Sequence, residues 1–254
     1  MAKEPLPPAL PPESRTVGQL VAESIHLYRR RFWWALLIGL PVAALDQASA
    51  GFSVTAQTAF VWVFAPALTA SFVGASVLAL GRPVPRRNLL NAFAAGLIVF
   101  LPAPLLLRLF VLPLVLWFGL VGLAVPAAVV EGLGVRRALR RGLGLARADY
   151  LHSAGSIATA VIVYVLSRLV LAVLLHSQAD AAERASVFLA DLVLSPILFL
   201  VPALAYFDQA ARAALASGSR PRRRDADVHH AVEPDGAGRA DTQVEPRPAA
   251  GGES

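Results

Sequence analysis

The chain alternates long apolar runs with short arginine-rich gaps between residues 32 and 208. Each run approaches the roughly 20 residues that an α-helix needs to cross about 30 Å of hydrocarbon. The runs predict six spans, at residues 32–50, 58–80, 92–107, 109–130, 154–175 and 187–207. This pattern predicts an all-α fold, a polytopic bundle of transmembrane helices.

The third and fourth spans are the hardest to separate, because residues 92–130 contain a single charge, Arg108. Two spans fit there only as a tight hairpin. Pro102, Pro104 and Pro113 mark the place where a helix would break most easily. A chain with five spans is the alternative.

Two shorter segments, residues 16–31 and 131–153, combine an apolar side with a basic side at helical spacing. In the second, Val135, Leu139 and Leu143 form the apolar stripe. Both segments predict amphipathic helices on the membrane surface, where arginines contact anionic lipid headgroups. The expected headgroup contacts are Arg29, Arg30, Arg31, Arg136, Arg137, Arg140, Arg141 and Arg147.

Composition supports a membrane domain at residues 15–209. Hydrophobic residues make up 56% of the chain and charged residues 16%, whereas a soluble domain has about a quarter charged. Residues 1–14 are rich in proline and predict a disordered arm, and residues 210–254 predict a disordered basic tail. The absence of cysteine excludes disulfides, thiolate catalysis and cysteine-bound metals.

The distribution of basic residues predicts the orientation of the spans. With six spans, all of the 23 Lys and Arg except Arg108, Arg168 and Arg184 fall on one side of the membrane. Cytoplasmic loops retain basic residues during insertion, so we expect a protein of the cell membrane with both termini in the cytoplasm. This topology also explains the net charge of +6 without nucleic acid as a partner.

Four charged residues fall in or at the ends of spans, all on the predicted outer half: Asp46, Arg108, Arg168 and Asp191. A long arginine side chain can reach along its helix to a carboxylate, so we expect Arg168 to pair with Asp191. The cluster has two interpretations. It either lines a polar cavity for a substrate or forms an ion pair that joins helices.

Motifs for catalysis or metal binding are missing from the sequence. The five histidines lack an HExxH or similar spacing, and no GxSxG, P-loop or GxGxxG motif occurs. Ser195 has no histidine in the spans to activate it. We therefore expect neither an enzyme nor a cofactor or metal.

Two segments together resemble a known family. VGQLVAESIHLYRRRFWWALLIGLP near the N-terminus and VPAAVVEGLGVRRALRRGLGLARADY, which contains Pro126, Glu131, Leu139, Arg140 and Arg141, are similar to the membrane domain of bacterial glycerophosphoryl diester phosphodiesterases and to related stand-alone six-helix proteins. The resemblance covers roughly residues 16–210. In the fused enzymes it implies that catalysis belongs to a separate soluble barrel, for which these 254 residues have no segment.

These observations favour a non-enzymatic membrane protein, a scaffold or accessory in envelope or lipid physiology. The alternative is a small transporter or lipid-handling protein that uses the outer polar cluster. The expected partners are membrane lipids with anionic headgroups on the cytoplasmic leaflet. A homo-oligomer or a membrane protein partner stays open.

A tag fused after Ser254 tests the orientation. We expect protease added to intact cells to leave the tag uncut, because the last arginine-rich segment is predicted to face the cytoplasm. The same protease should remove the tag after permeabilisation. Digestion of the tag in intact cells would contradict this topology.

Overall fold

The computed structural model describes residues 16–175 and 180–216, which are almost entirely helical and contain no strand within those ranges. This confirms the all-α prediction. The helices are α1 (Val17–Arg30), α2 (Phe32–Ser49), α3 (Val54–Leu80), α4 (Arg86–Phe100), α5 (Ala103–Leu109), α6 (Val111–Val121), α7 (Ala124–Glu131), α8 (Val135–Ala148), α9 (Tyr150–Leu175), α10 (Asp180–Leu194) and α11 (Pro196–Ala216).

Six helical stretches of the described chain are long and apolar enough to cross a membrane, and they define a multi-pass membrane protein. They are Phe32–Ser49, Val54–Leu80, Arg86–Leu109, Val111–Glu131, Tyr150–Leu171 and Arg184–Leu215. This confirms six spans rather than five.

The third and fourth spans meet in the tight hairpin that the prolines predicted. One residue, Phe110, separates α5 from α6, and its backbone is extended. Three of the spans consist of two helices each, namely α4 with α5, α6 with α7 and α10 with α11. Pro102 precedes α5 and Pro196 begins α11, where the missing N–H of proline costs no helical hydrogen bond.

The predicted arm at residues 1–14 lies outside the described residues, as does the tail after residue 216. Helix α11 continues to Ala216, beyond the predicted end of the membrane domain at residue 209. Alanines between 210 and 216 favour the helix. Within this extension Arg212 forms an ion pair with Asp149 at the start of α9.

Helix α11 lies at the centre of the bundle and packs against α1, α3, α8 and α9. Every residue from 199 to 210 is buried. A helix buried on all sides needs neighbours on all sides, and α1 and α8 supply contacts that the spans alone do not. Helices α1 and α8 are therefore part of the packing around the core helix α11.

Helices α1 and α8, the two predicted amphipathic helices, do more than cover the surface. On α1, Leu20 and Ser24 are fully buried, and the helix packs against α9 and α11. It begins with a capping box in which Thr16 and Gln19 each bind the backbone N–H of the other.

The buried stripe of α8 differs from the predicted one. Ala138, Gly142, Leu145 and Ala146 are buried, whereas the larger residues at 135, 139 and 143 lie at the edge and are only half-buried. A Cβ atom on Gly142 would lie 2.5 Å from the backbone nitrogen of Ala124. A glycine of α8 thus lies where the backbones of α7 and α8 approach each other closely.

Spans also approach each other at glycine. A Cβ on Gly39 of α2 would clash with the carbonyl oxygen of Leu192 on α10, and one on Gly119 of α6 would lie 2.9 Å from Ala154 on α9. The hydroxyl of Ser153 donates to the Gly119 carbonyl at 2.8 Å. These contacts join the spans without any large apolar side chain between them.

Substitution of Gly142 by Ala tests the close contact of α8. The added methyl would meet the backbone of Ala124, and overpacking of this kind costs about 1 to 3 kcal/mol. We therefore expect a lower midpoint of thermal unfolding for the purified protein in detergent.

Gly144→Ala is the matched control, because no atom lies within 4 Å of the position where its Cβ would be. This variant gains helix propensity without a clash and should unfold at the same temperature or higher. Equal stability of the two variants would contradict the close approach of α8 to α7.

Candidate functional site

Four polar side chains from three spans meet toward the end of the bundle that lies opposite the arginine-rich loops. Asp46 comes from the last turn of α2, Tyr164 and Arg168 from α9, and Asp191 from α10. Nη2 of Arg168 lies 2.6 Å from Oδ1 of Asp46, and Nη1 lies 3.5 Å from Oδ1 of Asp191. The Tyr164 hydroxyl donates to Asp191 Oδ1 at 2.7 Å. We call these residues the ion cluster.

The members of the ion cluster differ in burial. The side chain of Asp191 is fully buried, whereas those of Arg168 and Asp46 are 34% and 29% exposed. Arg168 thus neutralises a carboxylate that has no access to solvent or lipid headgroups. Among the described residues, no donor reaches the second oxygen, Oδ2, of Asp191.

The predicted pair of Arg168 and Asp191 is present in this geometry, but Asp46 is the closer partner of Arg168. Tyr164 was missed, although it lies one helical turn before Arg168 and therefore on the same face. Arg108 does not join the cluster. It is exposed on α5, which packs against α3, α4 and α6 rather than against the helices of the ion cluster.

A second polar contact joins α7, α8 and α11. Nε of Arg141 lies 2.8 Å from Oε1 of Glu131, and the buried hydroxyl of Tyr206 donates to the same oxygen. Burial alone would lower the pKa of Arg141, but the hydrogen bond and charge of Glu131 outweigh it and raise this pKa. Arg141, one of the predicted headgroup contacts, is therefore bound to Glu131.

A third contact joins the start of α9 to the end of α11. Nη1 of Arg212 lies 2.8 Å from Oδ2 of Asp149, and Nη2 lies 3.4 Å from Nε2 of His152. Gln209, also on α11, donates to the backbone carbonyl of Asp149 at 3.3 Å. Each of the three polar groups thus connects helices that are distant in sequence.

The remaining candidates for chemistry are used in packing. The Ser195 hydroxyl donates to the carbonyl oxygen of Gly39 at 3.3 Å. In the part of the chain that the structure describes, no group of three or more acidic or histidine side chains is arranged to hold a metal ion. Of the histidines, 176, 229 and 230 lie outside the described residues.

The predicted headgroup contacts lie at one end of the bundle. Exposed arginines at this end are Arg29, Arg30 and Arg31 around the junction of α1 and α2, and Arg136, Arg137, Arg140 and Arg147 on α8. Exposed Trp33 and Trp34 follow directly at the start of α2. Indole rings at this position are typical of the boundary between hydrocarbon and headgroups.

A groove of about 1060 Å³ begins at the same end, between α2, α3 and α4. One face of each helix lines it, at helical spacing. Its lining residues are Arg31, Trp34, Leu37, Ile38 and Pro41 of α2 and its start, Ala67, Ala70, Ser71, Val73, Gly74, Val77 and Leu78 of α3, Gly81, Arg82 and Pro83 of the following loop, and Arg86, Leu89, Leu90 and Phe93 of α4.

Comparison of the chain with family models, with curated proteins and with solved structures finds no match. The class that the fold defines is that of multi-pass α-helical membrane proteins.

Replacement of Arg168 by Met tests the ion cluster. Loss of the guanidinium would leave the buried Asp191 carboxylate without a counter-charge, which costs about 3 kcal/mol or more. We expect a clearly lower unfolding temperature in detergent, and a smaller effect for Asp46→Asn, since Asp46 is partly exposed.

The double variant Arg168→Met/Asp191→Leu should recover part of the lost stability, because no buried charge remains. Arg108→Met is the control for loss of a charge outside the cluster, and it should leave stability nearly unchanged. If Arg168→Met and Arg108→Met are equally stable, the ion cluster does not hold the helices together.

Proposed function

We propose that this protein is a non-enzymatic scaffold or accessory protein of the cell membrane that organises anionic lipid on the cytoplasmic leaflet. The observation that carries this proposal is the division of α8 into two sides. Its small residues are packed against the bundle, whereas Arg136, Arg137 and Arg140 are exposed. A basic face held rigidly at the membrane surface attracts anionic headgroups by about 1 kcal/mol for each arginine.

The polar contacts inside the bundle support a structural rather than a catalytic role. Carboxylates at 46, 131 and 149 are each bound to an arginine of another helix. Such side chains are engaged in holding helices together and do not form a set of acid and base groups around a cavity. We therefore propose that the chain is not an enzyme.

The proposed orientation places both termini in the cytoplasm. It rests on the exposed arginines near α1, after α3 and on α8, which all lie at one end of the bundle. The resemblance to the membrane domain of glycerophosphoryl diester phosphodiesterases is part of the proposal. It is consistent with a lipid-related role, and the barrel activity of the fused enzymes is not proposed for this chain.

One observation favours the alternative, a small transporter or lipid-handling protein. Asp191 Oδ2 is buried, and within the described ranges it accepts no hydrogen bond. A buried carboxylate oxygen beside an arginine is a position where a polar substrate or a proton could bind during transport.

Lipid analysis and liposome assays separate these proposals. We expect protein extracted in native nanodiscs to be enriched in anionic lipid relative to the surrounding membrane. Arg136→Gln/Arg137→Gln/Arg140→Gln should reduce this enrichment by about twofold or more, because three headgroup contacts are removed. In proteoliposomes we expect no hydrolysis of glycerophosphodiesters and no transport above that of protein-free liposomes.

Transport that Arg168→Ala abolishes would instead support the alternative, provided that the variant remains folded. Hydrolysis of a glycerophosphodiester would contradict the non-enzymatic role. Unchanged lipid enrichment in the α8 triple variant would remove the basis for the lipid role of α8.

A further inference from the structure

The groove between α2, α3 and α4 has the shape of a site for a hydrocarbon chain. On α3 it runs from Ala67 to Gly81, a length of about 21 Å at 1.5 Å per residue. Half the hydrocarbon thickness of a bilayer is about 15 Å, so the groove spans one leaflet. Its volume of about 1060 Å³ is slightly above the roughly 300 to 1,000 Å³ common for ligand sites.

Small residues line the side of the groove that α3 forms. Ala67, Ala70 and Gly74 form its floor on α3, while Trp34 and Leu90 stand at its sides on α2 and α4 and are largely exposed. Both α2 and α4 pack against α3, so the crevice lies between two helices that share one neighbour. The groove thus opens toward the lipid phase along its length.

The charge of the groove is confined to one end. Arg31 immediately precedes α2, Arg82 follows α3, and Arg86 begins α4, so three arginines stand together where the chain enters and leaves the spans. The other end, near Pro41 and Ala67, is apolar. Arg86 also lies at the N-terminus of α4, where the helix dipole adds positive potential.

An apolar channel that ends in several guanidinium groups matches one kind of molecule, an amphiphile with an anionic phosphate head. We propose that this groove binds one anionic phospholipid, with an acyl chain along the small residues of α3 and the phosphate at Arg31, Arg82 and Arg86. The inference rests on the proposed role at anionic lipid and assigns it a defined site, separate from the arginines of α8.

Native mass spectrometry of the purified, delipidated full chain tests this site. We expect one molecule of dioleoyl phosphatidylglycerol to bind with higher affinity than dioleoyl phosphatidylcholine, because only the former carries a net negative charge. Glycerol 3-phosphate, which has the phosphate group but no acyl chains, should not bind at the same concentrations. Equal binding of glycerol 3-phosphate would overturn the lipid assignment.

Two variants test the binding of the phosphate head and of the acyl chain separately. Arg31→Gln/Arg86→Gln should weaken binding of phosphatidylglycerol about tenfold or more, since two of the three cationic groups are lost. Ala70→Phe fills the groove without a change of charge and should weaken binding similarly. Ala70 is exposed, so the core is untouched, and an unchanged unfolding temperature would show that each variant is folded.

The double variant Arg108→Gln/Arg184→Gln removes the same charge from exposed arginines outside both proposed lipid sites and should change this binding by less than about twofold. An equal loss in this control would mean diffuse attraction to surface charge and would overturn the groove. Two results together would support the lipid site in the groove but not the proposed role of α8. These are unchanged lipid enrichment in the α8 triple variant and weaker phosphatidylglycerol binding in Arg31→Gln/Arg86→Gln. A mass of two chains without bound lipid would show that a second copy occupies the groove, which also overturns the proposal.

Discussion

In a bilayer there is little hydrophobic driving force for helices to associate, because lipid chains are as apolar as leucine side chains. The bundle is therefore held by backbones that approach at small residues and by polar side chains that find partners across helices. Gly39, Gly119 and Gly142 provide the first kind of contact. The carboxylates of Asp46 and Glu131 provide the second. The buried centre of α11 depends on both, since its neighbours must come close on every side.

This constraint explains which parts of the fold the sequence could predict. Long apolar runs define spans by length alone, and the prolines at 102 and 113 located the hairpin around Phe110. The pairing of Arg168 with Asp191 could also be predicted, because the position of each residue along its span follows from a rise of 1.5 Å per residue. These features depend on one helix or on one coordinate along the membrane normal.

Features that depend on how helices rotate against one another could not be predicted. Asp46 was predicted in the same cluster as Arg168, but its closer contact with Arg168 requires that α2 present this face to α9. On α8 the large residues Leu139 and Leu143 suggested the buried side, yet the tightest contact belongs to Gly142, since close backbone approach favours the smallest residue. The groove likewise exists only once α2 and α4 both pack on α3.

The single residue between α5 and α6 has a consequence for how other molecules can meet this protein. Near Phe110, two connections that the structure describes are short: residues 50–53 join α2 to α3, and Phe110 alone joins α5 to α6. A stable interface with a soluble protein takes about 20 residues from each side. These two connections therefore supply only a small part of the surface that such an interface takes, and the helix ends beside them would have to supply the rest.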